Sequence, residues 1–149
     1  MAENLPKSNG ALDEFTSRPI FHLSLPALDL HATRMFYTDV LGARLEQAHP
    51  EHLDFNFFGG LLTVQHVATL PTAMSSLVGD DAIPLPNFGL VMGWEDWHRA
   101  VDHLNYIGVT YRVPPSIRGD NTGRQFASFA IVDPSGNCLS FTAHETSAE

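Results

Sequence analysis

The chain has 149 residues, which is the length of one domain or of two small modules built around a shared core. Its 17 acidic and 8 basic residues give a net charge of −9. No cluster of Lys or Arg offsets this charge, which argues against nucleic acid as a partner. No apolar run approaches the roughly 20 residues of a membrane span, so no membrane association is expected.

The N-terminal segment and the cysteine content indicate the compartment. Residues 1–18 are polar and lack the apolar central stretch of a secretory signal, so they predict a flexible arm. The single cysteine, Cys138, excludes an internal disulfide and is typical of a reducing compartment. We therefore expect a cytoplasmic protein.

The first half of the chain predicts a strand, a helix and three more strands. Segment 20–27, IFHLSLPA, has the apolar pattern of a buried strand. Asp29 is typical of a helix N-cap, and the apolar helical stripe that follows it ends at Gly42. Extended stretches then cover residues 43–48, 52–58 and 61–68, and the last two meet at a predicted hairpin turn, Gly59-Gly60.

The second half repeats this order after a proline-containing stretch. Residues 69–86 contain Pro71, Pro84 and Pro86 and predict a linker. NFGLVMG, residues 87–93, predicts a strand, and a second apolar helical stripe ends at Gly108. Further strands are predicted at residues 109–113, 125–132 and 137–143.

The two halves are closely registered. The strand starts His22 and Asn87 are 65 residues apart, and the helix-ending glycines keep this offset to within one residue. A constant offset over several elements indicates internal duplication. The sequence therefore predicts an α+β fold of two tandem βαβββ modules, residues 19–68 and 87–145. A single α+β domain with coincidentally similar halves is the alternative.

Two stretches of sequence resemble a known superfamily. FHLSLPALDLHATRMFYTDVLGARL is similar to the opening of a vicinal oxygen chelate module, with its strand, its D…FY…LG helix and its second strand. FAIVDPSGNCLSF resembles the closing hairpin of such a module, F-x-DP-x-GN-x-x-E. Over residues 20–145 the chain thus resembles the glyoxalase, bleomycin-resistance and extradiol-dioxygenase proteins. It is most similar to a bacterial subgroup of predicted extradiol dioxygenases.

The resemblance implies a fold, a cofactor and partners. The two modules are expected to pair into a cupped mixed sheet with the helices on its outer face. A divalent metal such as Fe, Mn, Zn or Ni would lie in the cup, held by the first and last strands of each module. That metal would bind vicinal oxygens of a small-molecule substrate and therefore needs open coordination positions. The resemblance also implies a homodimer.

Four positions of the chain correspond to the superfamily's metal ligands. The first is His22. The second is Gln65 in an alignment without a gap, or His66 if one residue is bulged at the preceding turn. The imidazole is the stronger donor, while the alignment itself favours the glutamine. Successive strand residues face opposite sides, so only one of the two can point into the cup.

The other two positions hold weaker ligands. The third is Asn87, where the subgroup has His, and the fourth is Ser140, where the superfamily has a nearly obligatory Glu. Of a 2-His-1-carboxylate triad only His22 would remain. Three functions stay open. The first is a metal-dependent dioxygenase or lyase on a small oxygenated substrate, with a degraded metal site. The second is a metal-free protein that sequesters a small molecule, and the third is a structural or regulatory protein with a closed cup.

Two further residues are candidates for contacting the ligand, together with Asn87 and Ser140. Trp94 precedes the second helix, at the expected rim of the cup. The polar stretch 114–124, PPSIRGDNTGR, predicts a loop that closes over the cup and carries Arg118 toward an anionic substrate, with a solvated loop as the alternative. No nucleophile constellation stands out, so the sequence names no catalytic residue.

Overall fold

The computed structural model describes residues 19–70, 74–76, 83–119 and 122–146. The chain divides into two compact units between Leu70 and Pro71. The predicted N-terminal arm, residues 1–18, lies outside the described residues.

The first unit is a four-stranded mixed sheet with one helix. Its elements are β1 (His22–Ala27), helix α1 (Leu30–Met35), a π-helical turn that continues it (Phe36–Val40), β2 (Arg44–Ala48), β3 (His52–Phe57) and β4 (Gly60–His66). The strand order is β1-β4-β3-β2, with β1 parallel to β4 and the other neighbours antiparallel. This unit therefore has the predicted βαβββ order.

Alternation divides the residues of the first sheet between an apolar face and a polar face. In β3, Leu53, Phe55 and Phe57 are buried, while the residues between them are half-buried. The apolar face packs against the helical segment, where the ring of buried Tyr37 lies 5.4 Å from the ring of Phe55. Helix α1 begins at Asp29, whose Oδ1 accepts a hydrogen bond from the backbone N–H three residues on, at 3.0 Å. The predicted N-cap is confirmed.

The second unit contains a ribbon and a second four-stranded sheet. Its elements are β5 (Met74–Ser76), β6 (Ile83–Leu85), β7 (Asn87–Met92), α2 (Trp94–Ile107), β8 (Val113–Gly119), β9 (Gln125–Val132) and β10 (Cys138–His144). The sheet order is β7-β10-β9-β8, with β7 parallel to β10. The antiparallel ribbon β5–β6 lies within residues 69–86, the stretch predicted as a linker.

The two units share one connectivity, in which the first strand of each sheet pairs in parallel with the last. The predicted α+β architecture of two βαβββ modules is confirmed. Helix α2 packs against β10, since Trp97 Nε1 donates a hydrogen bond to the Phe141 carbonyl at 3.0 Å. It ends at Gly108, whose φ of 80° is left-handed, as expected of a helix-ending glycine. None of the described helices has the length and apolarity needed to cross a membrane.

Strand β8 differs from its prediction. The strand expected at residues 109–113 begins only at Val113 and continues to Gly119. The loop predicted at residues 114–124 was therefore wrong for residues 114–119, and Arg118 lies on a strand. Strand β8 is at the edge of the sheet, and its pairing with β9 shifts register near its start. That irregularity accommodates Pro114 and Pro115, which lack the N–H groups that a regular ladder uses.

Candidate functional site

One face of the first sheet carries polar side chains from all four strands. The strand register forms a row across the sheet, from Gln47 through Asp54 and Thr63 to Ser24. Residues two positions along each strand from a member of this row point to the same side. We call the polar side chains on this side of the sheet the polar face; its members are His22, Ser24, Gln47, His52, Asp54, Asn56, Thr63 and Gln65.

A hydrogen-bonded chain joins three residues of the polar face. The hydroxyl of Thr63 donates to Asp54 Oδ1 at 2.7 Å, and His22 Nε2 lies 3.0 Å from Thr63 Oγ1. A hydroxyl has one hydrogen, which Thr63 gives to the carboxylate, so the Nε2–H of His22 is the donor in the second bond. In the neutral ring the other nitrogen of His22, Nδ1, then carries the lone pair. Because His22 is exposed, this nitrogen can accept a hydrogen bond from a ligand.

Three side chains of metal-ligating type meet at the start of β3. The rings of His49 and His52 stack with centroids 4.2 Å apart and planes at 21°. Asp54 Oδ2 lies 3.9 Å from His52 Nε2. One ligand-type atom from each of the three residues lies within 4.8 Å of the other two. On its other side, His49 Nε2 is 3.1 Å from Gln47 Oε1.

The corresponding face of the second sheet holds one polar pair beside an apolar cluster. Ser140 Oγ donates to Asn87 Oδ1 at 3.4 Å, and Asn87 Nδ2 donates to the Pro84 carbonyl at 3.3 Å. The apolar cluster consists of Val113, Ala130 and Cys138 with Ile83 of the ribbon packed against them. Burial raises the pKa of the Cys138 thiol, which therefore packs as a neutral group rather than acting as a nucleophile.

Internal symmetry identifies the residue of the first unit that corresponds to Ser140. In the second unit, Asn87 of β7 pairs with Cys138 of β10, and Ser140 lies two residues further along β10. In the first unit, His22 of β1 pairs with Leu61 of β4, and Thr63 lies two residues further along β4. Thr63 is therefore the residue of the first unit that corresponds in register to Ser140, a correspondence that the sequence pattern did not reveal.

The two residues predicted for that position, Gln65 and His66, lie at the end of β4. The pairing of β4 with β3 is regular from Gly60 to Gln65, so the bulge that His66 requires is absent there. Gln65 consequently lies on the polar face. His66 has the opposite parity, and its Nδ1 is 3.4 Å from Glu51 Oε2. The register therefore favours Gln65 over His66 as a residue on the same face as His22.

Trp94 and Arg118, the other predicted substrate contacts, lie on separate elements of the second unit. Trp94 is half-buried at the first turn of α2, with its ring 4.9 Å from the ring of His98. Arg118 is exposed on the edge strand β8, opposite Phe126. Their contact with a substrate stays a prediction.

Comparisons with known proteins now identify the family. The sequence profile of the Glyoxalase/Bleomycin resistance protein/Dioxygenase superfamily matches residues 20–141. The chain belongs to this superfamily. No curated protein matches the chain significantly.

Solved structures share the superfamily fold. A glyoxalase/bleomycin resistance protein/dioxygenase from Alicyclobacillus acidocaldarius is 23% identical, with a TM-score of 0.69 over 87% of this chain and 93% of that one. A glyoxalase/dioxygenase from Nostoc punctiforme is 17% identical, with a TM-score of 0.63 over 96% of this chain and 99% of that one. A lactoylglutathione lyase from Agrobacterium tumefaciens is 17% identical, with a TM-score of 0.58 over 85% of this chain and 96% of that one.

Members of the superfamily commonly bind divalent metals, so the side chains at its ligand positions can be tested against such an ion. His22 offers an imidazole, but Thr63 and Ser140 offer neutral hydroxyls and Asn87 an amide. Such neutral oxygen donors are weak ligands for Fe, Zn or Ni. The Thr63 hydroxyl is also bonded to a carboxylate, and Ser140 and Asn87 are bonded to each other. The residues at these positions therefore do not fit a transition-metal ion.

Proposed function

We propose that this protein binds a small oxygen-rich molecule on its polar face by hydrogen bonds, without a metal at the superfamily's ligand positions. The observation that carries the proposal is the chain from Asp54 through Thr63 to His22. Thr63 is 7% exposed, and its hydrogen bond with the exposed His22 orients that ring. The result is an oriented acceptor, His22 Nδ1, where the superfamily has a metal ligand.

The neighbours of His22 indicate the chemistry of the ligand. Ser24 and Gln65 are exposed on the same face, and each offers both a donor and an acceptor. Asp54 adds a negative charge, and the whole chain carries −9, so an anionic ligand is disfavoured. A neutral or cationic molecule with neighbouring hydroxyl and carbonyl oxygens fits this face best.

The superfamily and one of its structural relatives suggest probes for a first test. Bleomycin is named in the superfamily description and S-lactoylglutathione corresponds to the named lyase, while catechol is a simple vicinal diol. Each would be titrated into the protein in excess EDTA and binding measured by calorimetry and by thermal shift. We expect bleomycin or catechol to bind in EDTA, and S-lactoylglutathione, which is anionic, to bind at least about tenfold more weakly.

Variants assign the binding to the polar face. We expect His22→Ala and Thr63→Val to weaken binding by about tenfold or more, the loss of one oriented hydrogen bond. His66→Ala is the matched control, because this exposed histidine lies on the other side of β4. The proposal is overturned if none of the three probes binds, or if binding is indifferent to His22.

The enzymatic alternative is a metal-dependent dioxygenase or lyase, as in the subgroup of predicted extradiol dioxygenases. It requires metal ligands that the four superfamily positions lack, except for His22. Oxygen uptake with catechol and Fe(II) would support it over the binding proposal. So would conversion of the hemithioacetal of methylglyoxal and glutathione into S-lactoylglutathione with Zn(II) or Ni(II). Loss of such turnover in His22→Ala would assign it to the superfamily position.

The proposed assembly is a homodimer, which the resemblance to the superfamily implies. Closed two-fold pairs are also the commonest oligomers of soluble proteins. Sedimentation at about ten micromolar checks this: a mass of twice 16.4 kDa supports the dimer, and a single chain mass rejects it.

A further inference from the structure

We propose that His49, His52 and Asp54 form a binding site for one divalent transition-metal ion of the Zn(II) class. The site lies in the first unit at the β2–β3 turn. It shares no residue with the superfamily's ligand positions, and it goes beyond the proposed function.

The backbone fixes the two imidazoles next to each other. His49 and His52 flank a tight turn, which is closed by a hydrogen bond from the His49 N–H to the His52 carbonyl at 2.9 Å. Their rings are stacked with centroids 4.2 Å apart. Asp54 follows His52 by two residues on β3, so alternation sends its carboxylate to the same face. The sequence H-P-E-H-L-D thus places two nitrogen donors and one oxygen donor together.

The distances suit closure around an ion. In a tetrahedral site with bonds of about 2.1 Å, neighbouring ligand atoms lie about 3.4 Å apart. His52 Nε2 and Asp54 Oδ2 are 3.9 Å apart, and the three donors lie within 4.8 Å of one another. All three side chains are half-buried. Because the lone pairs lie in the ring planes and the two imidazoles are stacked at 21°, the rings must turn toward a common point when the ion binds.

Outer hydrogen bonds orient two of the three ligands. Gln47 Oε1 accepts from His49 Nε2 at 3.1 Å, which leaves Nδ1 of that ring for the metal. Thr63 donates to Asp54 Oδ1 at 2.7 Å, which leaves Oδ2, the oxygen nearer His52, for the metal. A ligand histidine held by a polar acceptor and a ligand carboxylate held by a hydroxyl are the usual outer contacts of metal sites.

The donor set selects the class of ion. Two imidazoles and one carboxylate bind Zn(II), Co(II), Ni(II) and Cu(II), whereas Mg(II) and Ca(II) require mainly oxygen ligands. The net charge of −9 attracts cations of either class. Three protein ligands leave a fourth position open to water or to an oxygen of a bound molecule.

The experiment uses the full chain, freed of metal by dialysis against a chelator. Titration with Zn(II) by calorimetry is expected to give one site, and Co(II) is expected to give the visible absorption bands of a four-coordinate ion. Mg(II) in excess is expected not to compete. Asp54→Asn preserves the shape of the side chain, and His52→Asn keeps a polar side chain. Each should weaken Zn(II) binding by about 100-fold.

Further variants separate ligands from positioning residues and from the superfamily position. His49→Asn tests the third ligand. Because His49 lies in the turn and not in a strand, this variant is expected to fold, which circular dichroism checks. Gln47→Leu removes the outer acceptor of His49 and should weaken binding by about tenfold. His66→Asn is the control, because its ring lies beside the carboxylate of Glu51 without a second imidazole; binding should change by less than about threefold.

Three results would overturn the metal site. The first is the absence of Zn(II) and Co(II) binding up to about 1 mM. The second is binding that survives all three ligand variants, which would indicate adventitious surface sites. The third is binding that is lost in His22→Ala alone, which would place the ion at the superfamily position. Because the ligand test above is made in EDTA, the metal site and the proposed function can fail separately.

Discussion

The polar face of the first sheet and the equivalent face of the second sheet share a register but not their chemistry. The first carries a hydrogen-bonded chain, His22–Thr63–Asp54, that continues toward two more imidazoles. The second carries one polar pair, the exposed Asn87 and the half-buried Ser140, next to an apolar cluster. In both units the opposite face remains apolar. The core restrains one side of each strand, while the other side can carry different chemistry in each unit.

The paired residues in the two registers show how far the units have diverged. In the first unit Thr63 pairs with Ser24, and in the second Ser140 pairs with Gly89. A Cβ built on Gly89 would overlap the carbonyl of Ser140, so β7 needs a glycine at this point. The serine at the same position of β1 shows that the first unit does not have this restriction.

The largest expected effect follows from that close approach. Gly89→Ala forces β7 away from β10, because the clash is with backbone atoms that cannot rotate aside. We expect a loss of about 3 kcal/mol or more in the free energy of unfolding. The control Ser24→Ala, at the equivalent exposed position, should change it by about 0.5 kcal/mol or less. Chemical denaturation measures both, and equal effects would contradict the difference between the units.

A smaller effect is expected where the two faces differ in polarity. Thr63→Val keeps the shape of a buried side chain but leaves Asp54 Oδ1 and His22 Nε2 without this partner. We expect a cost of about 2 kcal/mol. Ser140→Ala, the same position in the second unit, breaks a long bond to an exposed residue and should cost about 0.5 kcal/mol or less. Urea unfolding of both variants is the measurement. A loss for Ser140→Ala as large as that for Thr63→Val would show that the Ser140–Asn87 bond stabilises the fold as much as the Thr63–Asp54 bond does.

Much of the fold could be predicted because local patterns encode it. The alternation in HLDFNF predicts β3 and the apolar face on which it packs, and Asp29 and Gly42 bracket the first helical segment. The errors arise where local patterns conflict with pairing. Two prolines at the start of β8 predict a loop, yet an edge strand with a register shift accommodates them.

The site was harder to predict because it depends on register between distant strands. His22 and Thr63 are 41 residues apart, and their strands run in parallel, so no turn fixes which residues face each other. Alignment with the superfamily led to Gln65, or to His66 with one bulged residue, two and three residues beyond Thr63. The polar residues of HLDFNF, His52 and Asp54, are a signal that the sequence analysis did not use: polar side chains that alternate with buried apolar ones point away from the core.

The smallest effect concerns how the two helices begin. In the first unit the side chain of Asp29 caps α1, whereas in the second Gly93 precedes α2 with no side-chain hydrogen bond. Asp29→Ala should therefore cost about 1 kcal/mol of unfolding free energy. Gly93 has φ −63° and ψ 151°, a conformation open to any residue, and a Cβ there meets only Asp96 Oδ2, at 3.6 Å. Gly93→Ser adds the missing cap and should raise stability by a few tenths of a kcal/mol, about the known difference between serine and glycine caps. The measurement is thermal unfolding of the two variants. A lower melting temperature for Gly93→Ser would show that a side-chain cap does not stabilise the start of α2, in contrast to the start of α1.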